Sequence, residues 1–199
     1  MTRVFKYMQQ TPNIKERIIL GIDPGTAVMG YGLVKETGAK IELISLGVVK
    51  MEQLDDHMLK LQRIFEKTVA LIDNYKPDCL AIEAPFYGKN IQVMLKLGRA
   101  QGVAMAAALS RNIEVTEYSP RKIKQSITGN GNATKEQVAG MLQRLLNFKE
   151  TPEFLDATDG LAVAVCHSFQ KITTAKGGAK KSYSGWDTFV KDNTKRIVK

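Results

Sequence analysis

The sequence predicts an α/β fold in which a mixed five-stranded sheet is flanked by helices. Two observations support this. Three apolar segments near the start of the chain follow one another with short links, and short links join antiparallel strands. Further along, short apolar segments alternate with longer segments of helical periodicity, which is the pattern of strands joined by helical crossovers. The predicted element order is β-β-β-α-β-α-β-α-α-α.

The first three strands are predicted at residues 18–22, 29–34 and 41–50. The turn Asp23-Pro24-Gly25-Thr26 separates the first two, because proline fixes one φ angle and glycine permits the next. Thr37-Gly38 separates the second strand from the third. The three strands should therefore pair as an antiparallel unit.

A helix is predicted from Asp55 to Tyr75, followed by a central strand at residues 79–83. The residues predicted to form the apolar stripe of this helix are Met58, Leu61, Phe65, Thr68, Leu71, Ile72 and Tyr75. The crossover makes the new strand parallel to the first. Asp23 and Glu83 then reach the same edge of the sheet, where ligands bind in open α/β folds.

The remaining elements are a small-residue helix at 92–109, a strand at 113–118 and three helices. The small-residue helix can serve as a subunit interface or as a helix of the core. Ser119-Pro120 begins the first of the three helices, which ends near Thr128, and residues 129–132 follow as a flexible loop. Thr134 and Gln137 have capping-box spacing and open a helix through Leu146. The last helix is predicted at 154–169.

The chain has 199 residues and a net charge of +9, and the excess positive charge lies at its ends. Residues 1–17 carry four basic and one acidic residue, and residues 171–199 carry eight and two. We therefore divide the chain into an N-terminal extension (1–17), one neutral domain (18–170) and a basic, flexible C-terminal tail (171–199). Such a tail either binds a polyanion such as nucleic acid or is simply solvated.

The sequence also indicates a cytoplasmic protein. It has no apolar run of the roughly 20 residues that a membrane span needs, and its first residues have no secretory h-region. Cys79 and Cys166 lie in apolar runs, which favours reduced thiols over a disulfide.

Four acidic residues are candidate metal ligands: Asp23, Glu83, Asp156 and Asp159. Asp156 and Asp159 are three residues apart and share one helix face. Buried carboxylates need compensation, and their oxygen atoms favour Mg²⁺ or Mn²⁺ over zinc. Two such ions would balance four carboxylates and support phosphodiester hydrolysis. Alternatively, Asp23 is only a turn residue, Glu83 only ends a strand, and the other two only complement a helix N-terminus.

Several ordered motifs resemble the RuvC family of Holliday-junction resolvases across residues 18–170. They are Gly21-Ile22-Asp23-Pro24-Gly25-Thr26 with Gly30-Tyr31-Gly32, Ala81-Ile82-Glu83 with Phe86-Tyr87-Gly88-Lys89-Asn90, Lys96-Leu97-Gly98-Arg99-Ala100-Gln101-Gly102, and Asp156-Ala157-Thr158-Asp159-Gly160-Leu161-Ala162. The two ends of the chain lie outside this resemblance. The resemblance implies an RNase H-like fold, a homodimer, a branch-migration helicase complex as partner, and Mg²⁺-dependent paired nicking of four-way DNA junctions.

The resemblance also assigns roles to residues. It implies that the four carboxylates are the metal ligands, although some relatives carry His at the position of Asp159. It further implies that Lys124 and Lys135 assist catalysis, and that Phe86 contacts DNA near the junction centre.

Basic residues are concentrated between positions 89 and 124, and we expect them to lie beside the acidic residues. Lys89 and Asn90, together with Arg121 and Lys122, are candidate contacts to the DNA backbone. Three other functions stay open. They are an RNase H-like nuclease acting on another nucleic acid, a non-catalytic junction-binding module, and an actin-like ATPase suggested by the Gly-Ile-Asp-Pro-Gly-Thr sequence.

Overall fold

The computed structural model describes residues 16–85, 90–149 and 154–176, without the side chains of residue 154 and residues 171–176. The predicted element order is confirmed. The elements are β1 (Glu16–Asp23), β2 (Val28–Thr37), β3 (Lys40–Lys50), α1 (His57–Tyr75), β4 (Cys79–Glu83), α2 (Ile91–Leu109), β5 (Glu114–Tyr118), α3 (Pro120–Thr128), α4 (Lys135–Leu146) and α5 (Phe154–Lys176).

The five strands form one mixed sheet in the order β3-β2-β1-β4-β5. Strand β1 pairs antiparallel with β2, and β2 pairs antiparallel with β3. Strand β4 runs parallel to β1 on one side and to β5 on the other. The mixed five-stranded sheet is thus as predicted, and the carboxyl ends of β1, β4 and β5 lie at one edge.

Helices cover both faces of the sheet. One face, which we call the α5 face, packs against α3, α4 and α5 around Ile19, Ala81, Ile123 and Leu161. The other, the α1 face, packs against α1 and α2 around Leu20, Ile22, Ile64 and Ala104. Successive residues of β1 alternate between these two cores, as the pleat of a strand requires.

Part of the apolar stripe predicted for α1 is wrong. Thr68, Leu71 and Ile72 are buried as predicted. Met58 is 58% exposed and Phe65 is 39% exposed, whereas Ile64 is fully buried and was not assigned to the stripe. Met58 and Phe65 are spaced so as to extend an apolar stripe, but that stripe is rotated by one position from the face that meets the sheet.

Helix α2 has two apolar faces. Ala100, Ala104 and Ala108 are buried in the core, where their small size allows close packing. The side facing away from them carries exposed apolar residues: Ile91 is 68% exposed, Leu95 51% and Leu109 58%. Helix α2 is therefore a core helix that also presents an apolar surface.

Two further predictions differ from the structure. Helix α5 continues to Lys176, seven residues beyond the predicted end at 169, so the start of the segment assigned to the tail is helical. The loop at 129–132, predicted to be flexible, is fastened by side chains: Gln125 donates to the Gly129 carbonyl at 2.6 Å and accepts from the Gly131 N–H at 3.0 Å. The division at residue 170 stays a prediction.

Cys79 and Cys166 are both buried, and neither is in a disulfide, as the sequence predicts. Within the described ranges, no helix combines the length and the apolar character that crossing a membrane requires.

Candidate active site

The ends of two parallel strands bring the first two predicted carboxylates together. Asp23 is the last residue of β1 and Glu83 is the last residue of β4. Ile22 pairs with Ile82 in the parallel ladder, so the two acidic residues follow one register position later on neighbouring strands. Neighbouring strands lie about 4.8 Å apart, which makes the two carboxylates direct neighbours.

Helix α5 approaches this edge closely because glycines line its contact with the sheet. A Cβ atom on Gly30 would collide with the backbone carbonyl of Asp156, and one on Gly21 would collide with the carbonyl of Gly160. A Cβ atom on Gly160 itself would collide with the backbone of Tyr31. At these glycines the backbone of α5 lies directly against the backbone of β1 and β2, and this sets the position of its acidic residues.

The first turns of α5 carry the other two predicted carboxylates. Asp159 is mostly covered, with 18% of its side chain exposed, whereas the side chain of Asp156 is 53% exposed. Lys135 joins them, since its Nζ atom donates to Asp159 Oδ2 at 2.5 Å and lies 3.6 Å from Asp156 Oδ1. Lys135 is the first residue of α4, where the capping box of Thr134 and Gln137 fixes the helix start.

Asp23, Glu83 and Asp159 line a single cavity of about 550 Å³ together with Lys124 and Lys135. Asp156 is not among the lining residues and lies at the rim, linked to the others through Lys135. The structure thus brings three of the four predicted carboxylates and both predicted lysines into one cavity. The fourth carboxylate lies beside it.

The two lysines only partly compensate the negative charge of the carboxylates in this cavity. Burial, followed by the nearby Asp159, raises the pKa of Asp23 to about 6. Burial, followed by Asp23 and Asp159, raises the pKa of Glu83 to about 8. Burial also raises the pKa of Asp159, against the opposing hydrogen bond from Lys135. In the metal-free protein, the acidic groups therefore retain protons at a pH where ordinary carboxylic acids have lost them.

The pKa of Lys135 is raised for the complementary reason. Burial disfavours its charge, but the hydrogen bond to Asp159 and the field of the surrounding carboxylates outweigh that effect. Lys124 acts at longer range and lowers the pKa values of Glu83 and Asp159. Lys124 and Lys135 are thus the charges that partly neutralise the cavity.

The residues of the cavity fit a hard divalent cation. Four ionised carboxylates and two lysines leave a net charge of −2, which one divalent cation would balance. All candidate ligand atoms are oxygens, the type that Mg²⁺ and Mn²⁺ prefer. In the described ranges, no three Asp, Glu, His or Cys side chains already stand in a ready-made ligand cluster. The Lys135 ammonium instead holds Asp156 and Asp159 together.

A buried amide supports the site from the α1 face. Gln101 of α2 donates to Glu117 Oε2 at 2.9 Å and lies 3.4 Å from the backbone carbonyl of Glu83. The Ala84 N–H donates to the Tyr118 carbonyl at 2.9 Å, which ties the ends of β4 and β5 together. Gln101 belongs to a quoted family motif, but the sequence alone gave it no structural role.

The residues predicted to bind DNA are only partly placed by the structure. Phe86 and Lys89 lie outside the described residues. Asn90 caps α2, where its side chain accepts from the Val93 N–H at 3.2 Å. Arg121 lines the cavity, whereas Lys122 is exposed on α3 and does not line it. Their role as DNA contacts stays a prediction.

One polar residue of the cavity was not predicted. Asn132 lines it, and its backbone N–H donates to the Asn130 side chain at 3.0 Å. The Gly-Asn repeat at 129–132 marks a turn in the sequence, but only the packing of α3 against α4 shows that the turn borders the carboxylates.

Comparison with known proteins shows the family of this chain. The family model described as crossover junction endodeoxyribonuclease RuvC matches residues 19–167. The chain belongs to the RuvC family. Its RuvC relative in Christiangramia forsetii is 61% identical over 182 residues, which are 92% of this chain and 93% of that protein. The relative in Cytophaga hutchinsonii is 55% identical over 95% of this chain and 92% of that protein.

Solved RuvC structures share the fold. Thermus thermophilus RuvC in complex with a Holliday junction substrate superimposes with a TM-score of 0.73 at 31% identity. The match covers 79% of this chain and 96% of that one. The yeast mitochondrial Holliday junction resolvase, at 13% identity and a TM-score of 0.61, shows the same fold. The RNase H-like α/β architecture expected from the sequence is therefore confirmed.

The similarity to individual relatives reaches further along the chain than the family model does. Residues 1–17 and 171–199 together make up 46 of the 199 residues. The alignment with the Christiangramia protein leaves only 8% of this chain unmatched, which is less than the length of the C-terminal segment alone. Similarity to this relative therefore extends into residues 171–199, whereas the family model matches residues 19–167, in agreement with the resemblance expected over 18–170.

Proposed function

We propose that this protein is a metal-dependent endonuclease that resolves four-way DNA junctions by paired phosphodiester hydrolysis in recombination and repair. The observation that carries the proposal is the cavity in which Asp23, Glu83 and Asp159 meet Lys124 and Lys135. Membership of the RuvC family supports the choice of substrate, because the Thermus relative is solved with a Holliday junction. All four acidic residues that the family motifs imply are present.

We assign the metal ligands to Asp23, Glu83, Asp156 and Asp159, and the ions to Mg²⁺, with Mn²⁺ as a substitute. When bound, such ions lower the pKa of the attacking water and neutralise charge on the phosphate. Two lysines already offset half of the carboxylate charge, so one divalent ion balances the free protein. The charge of a bound DNA phosphate would help to balance a second ion.

The chain's own residues supply positioning and charge. The protein holds Asp23 and Glu83 on the rigid ends of neighbouring strands, which suits ligands that must not move during the reaction. Lys135 restrains Asp156 and Asp159 while no cation is present. If Asp156 and Asp159 held a cation, the Lys135 ammonium would be free to contact the phosphate, and Lys124 would stabilise the charge that develops there.

The proposed DNA contacts belong to α3 and to the sequence around the start of α2. Arg121 lines it directly, and Lys122 lies exposed on the same helix. Asn90 is at the start of α2, beside the segment that contains Phe86 and Lys89. We propose that the basic residues hold the backbone and that Phe86 contacts bases near the junction centre.

A homodimer follows from the substrate and from α2. A four-way junction is two-fold symmetric, so two copies of one site related by a dyad make matched cuts. Ile91, Leu95 and Leu109 expose apolar surface on one side of α2, and Gly98 and Gly102 on this helix have open space beside them. A second copy packing α2 against α2 would cover this surface.

Two further assignments follow from the family. We propose a cytoplasmic location, where chromosomal junctions form in bacteria, and a branch-migration helicase complex as a functional partner. Neither is needed for the chemistry of the site.

A cleavage assay tests the proposal. The substrates are a synthetic four-way junction, a plain DNA duplex and an RNA–DNA hybrid, each with Mg²⁺ or with a chelator. We expect symmetric nicks in the junction with Mg²⁺ alone and no comparable cutting of the other two. Preferred cutting of the hybrid would instead identify another RNase H-like nuclease. Junction binding without any cutting would indicate a binding module.

A further inference from the structure

A second cavity lies on the opposite face of the sheet, away from the carboxylates. It has a volume of about 700 Å³ and lies between α1 and the strands β2 and β3. Three basic residues line it, Lys50 of β3 with Arg63 and Lys67 of α1, and among the described residues no carboxylate does. Tyr31, Asn74 and Tyr75 add hydroxyl and amide groups. We call this cavity the α1 groove.

The helical side of the groove is a single stripe. Arg63, Lys67 and Asn74 are spaced at four and seven residues and therefore project from the same side of α1. In the part of the chain that the structure describes, Arg63 and Lys67 have no ion-pair partner. Two nearby acidic residues of α1 do not line the groove: Asp73 forms an ion pair with Arg111 at 2.9 Å, and Glu66 accepts a hydrogen bond from Gln62 at 2.8 Å. The stripe therefore keeps a net positive charge.

The strand side of the groove is shaped by a glycine. A Cβ atom on Gly47 would lie 2.7 Å from the hydroxyl oxygen of Tyr31, so the tyrosine ring lies directly across β3 at this point. Any larger residue at position 47 would displace the ring. The ring forms a wall of the groove, and its hydroxyl group is available as a donor.

The groove begins close to the candidate active site. Asp23 pairs with Gly30, and Gly30 pairs with Val48, which lines the groove. Two strand spacings separate Asp23 from Val48 in this row, about 10 Å. From Arg63 to Asn74 the stripe runs about 16 Å along α1. DNA places a phosphate every 3.4 Å per strand along its axis, so this length covers several phosphates.

We propose that the α1 groove is a second binding site for the DNA phosphate backbone, which holds a junction arm that continues past the cleaved strand. Arg63 and Lys67 provide the charge, and Tyr31, Asn74 and Tyr75 donate hydrogen bonds to phosphate oxygens. The proposal rests on the proposed function, because it takes the junction as the ligand. It adds a surface on the face of the sheet opposite the carboxylates.

The test compares two double variants of the full-length protein. Arg63→Ala with Lys67→Ala removes two charges from the groove. Lys40→Ala with Arg111→Ala removes one lysine and one arginine whose side chains pair with Glu42 and Asp73 and do not line the groove. Junction binding is measured across a range of salt concentrations with Ca²⁺ in place of Mg²⁺, and cleavage is measured at saturating protein. Melting temperatures confirm that both variants fold.

We expect the groove variant to bind the junction at least about tenfold more weakly at low salt. Its salt dependence should flatten by about 1 to 2 units in the slope of log K against log salt, because each phosphate contact contributes about 0.9. Cleavage at saturation should be unchanged. Ethylation of arm phosphates should weaken junction binding by the wild type and not by the groove variant. Millimolar inorganic phosphate should not reduce junction binding by the wild type to the level of the groove variant.

Other results would overturn the inference. A wild-type affinity and salt slope in the groove variant would exclude DNA and leave an acidic protein segment as the better match to the groove. An equal loss in both double variants would mean that only net charge matters. If the wild type itself fails to bind junctions, the proposed function is wrong. If the wild type binds junctions and the groove variant binds them equally well, only the inference about the groove is wrong.

Discussion

The two faces of the sheet are packed in different ways. On the α5 face, Gly21, Gly30 and Gly160 bring helix backbone against strand backbone. On the α1 face, large side chains such as Leu20 and Ile64 fill the space between sheet and helix. The candidate catalytic carboxylates belong to the first face, and the basic groove belongs to the second.

The difference shows how this fold fixes a site. Where helix backbone lies directly against strand backbone, no side chain between them can change rotamer to absorb a shift. Asp156 and Asp159 are therefore held at a fixed distance from Asp23. A helix that rests on large side chains can absorb a lost methyl group by repacking. Function should therefore be sensitive to added volume on the α5 face and tolerant of small losses on the α1 face.

The largest expected effect is that of Gly30→Ala. Its Cβ atom would collide with the Asp156 backbone carbonyl, so α5 must move outward, at a cost of about 3 kcal/mol or more in stability. A displacement of 1 Å lowers catalysis by about 100-fold. Denaturant unfolding and single-turnover junction cleavage measure both effects. A variant with wild-type stability and rate would show that α5 does not rest on the strand backbone.

The next effect concerns pH and metal. The pKa of Glu83 is raised to about 8 and that of Asp23 to about 6, so the folded, metal-free protein binds more protons than the unfolded chain. Its stability should therefore fall by a few kcal/mol as pH rises from about 4.5 to 8. Thermal melts in a chelator measure this.

Two controls separate this effect from other titrating groups. Glu83→Gln should reduce the loss of stability with pH, because the side chain no longer has to ionise. Added Mg²⁺ should raise the melting temperature more at pH 8 than at pH 5.5, because it binds the ionised carboxylates. Stability that rises over the same pH range in the chelator would contradict the charge balance described for the cavity.

A smaller effect is expected on the other face. Ile64 of α1 is fully buried, and Ile64→Val removes one methyl group, which costs about 0.5–1.5 kcal/mol. Cleavage should stay within about twofold of the wild type when measured well below the melting temperature. A loss of activity like that of Gly30→Ala would erase the distinction between the two faces.

The smallest effect is a gain in stability. Gly140 lies in α4 and has no atom within 4 Å of the position a Cβ would take. Gly140→Ala should therefore stabilise the protein by about 0.5–1 kcal/mol through helix propensity alone. It is the matched control for Gly30→Ala, since both variants add the same methyl group. Destabilisation by Gly140→Ala would mean that glycine substitution is harmful regardless of contact.

Much of the fold was predictable because, in this chain, the apolar periodicity of each helix or strand ends at a turn or capping residue. Strand β4 was predicted with its correct bounds, and α3 began at Pro120 after the Ser119 cap as expected. The burial of α1 was harder, because Met58, Ile64 and Phe65 offer two overlapping apolar stripes and only the sheet decides between them. Helix α5 was predicted too short, because a change in charge at residue 171 is not a helix stop; Gly177-Gly178 come later.

The candidate site was predictable in its residue types and not in its arrangement. The positions of Asp23 and Glu83 at strand ends followed from topology. That Asp156 lies outside the cavity and is held by Lys135 depends on where α4 begins relative to α5, a long-range distance that no local pattern encodes. The contact role of Gly30 and Gly160 was not predictable for the same reason, since the residue that a glycine contacts across an interface is distant from it in the sequence.

The most direct test of the central claim is single-turnover cleavage of a four-way junction by Asp23→Asn in Mg²⁺, with junction binding measured separately. The substitution keeps the shape of the side chain and removes its charge at the point where β1, β4 and α5 meet. We expect binding within about threefold of the wild type and a cleavage rate lower by about 1,000-fold or more, equivalent to about 4 kcal/mol. Cleavage at the wild-type rate would contradict the assignment of these carboxylates as the catalytic centre.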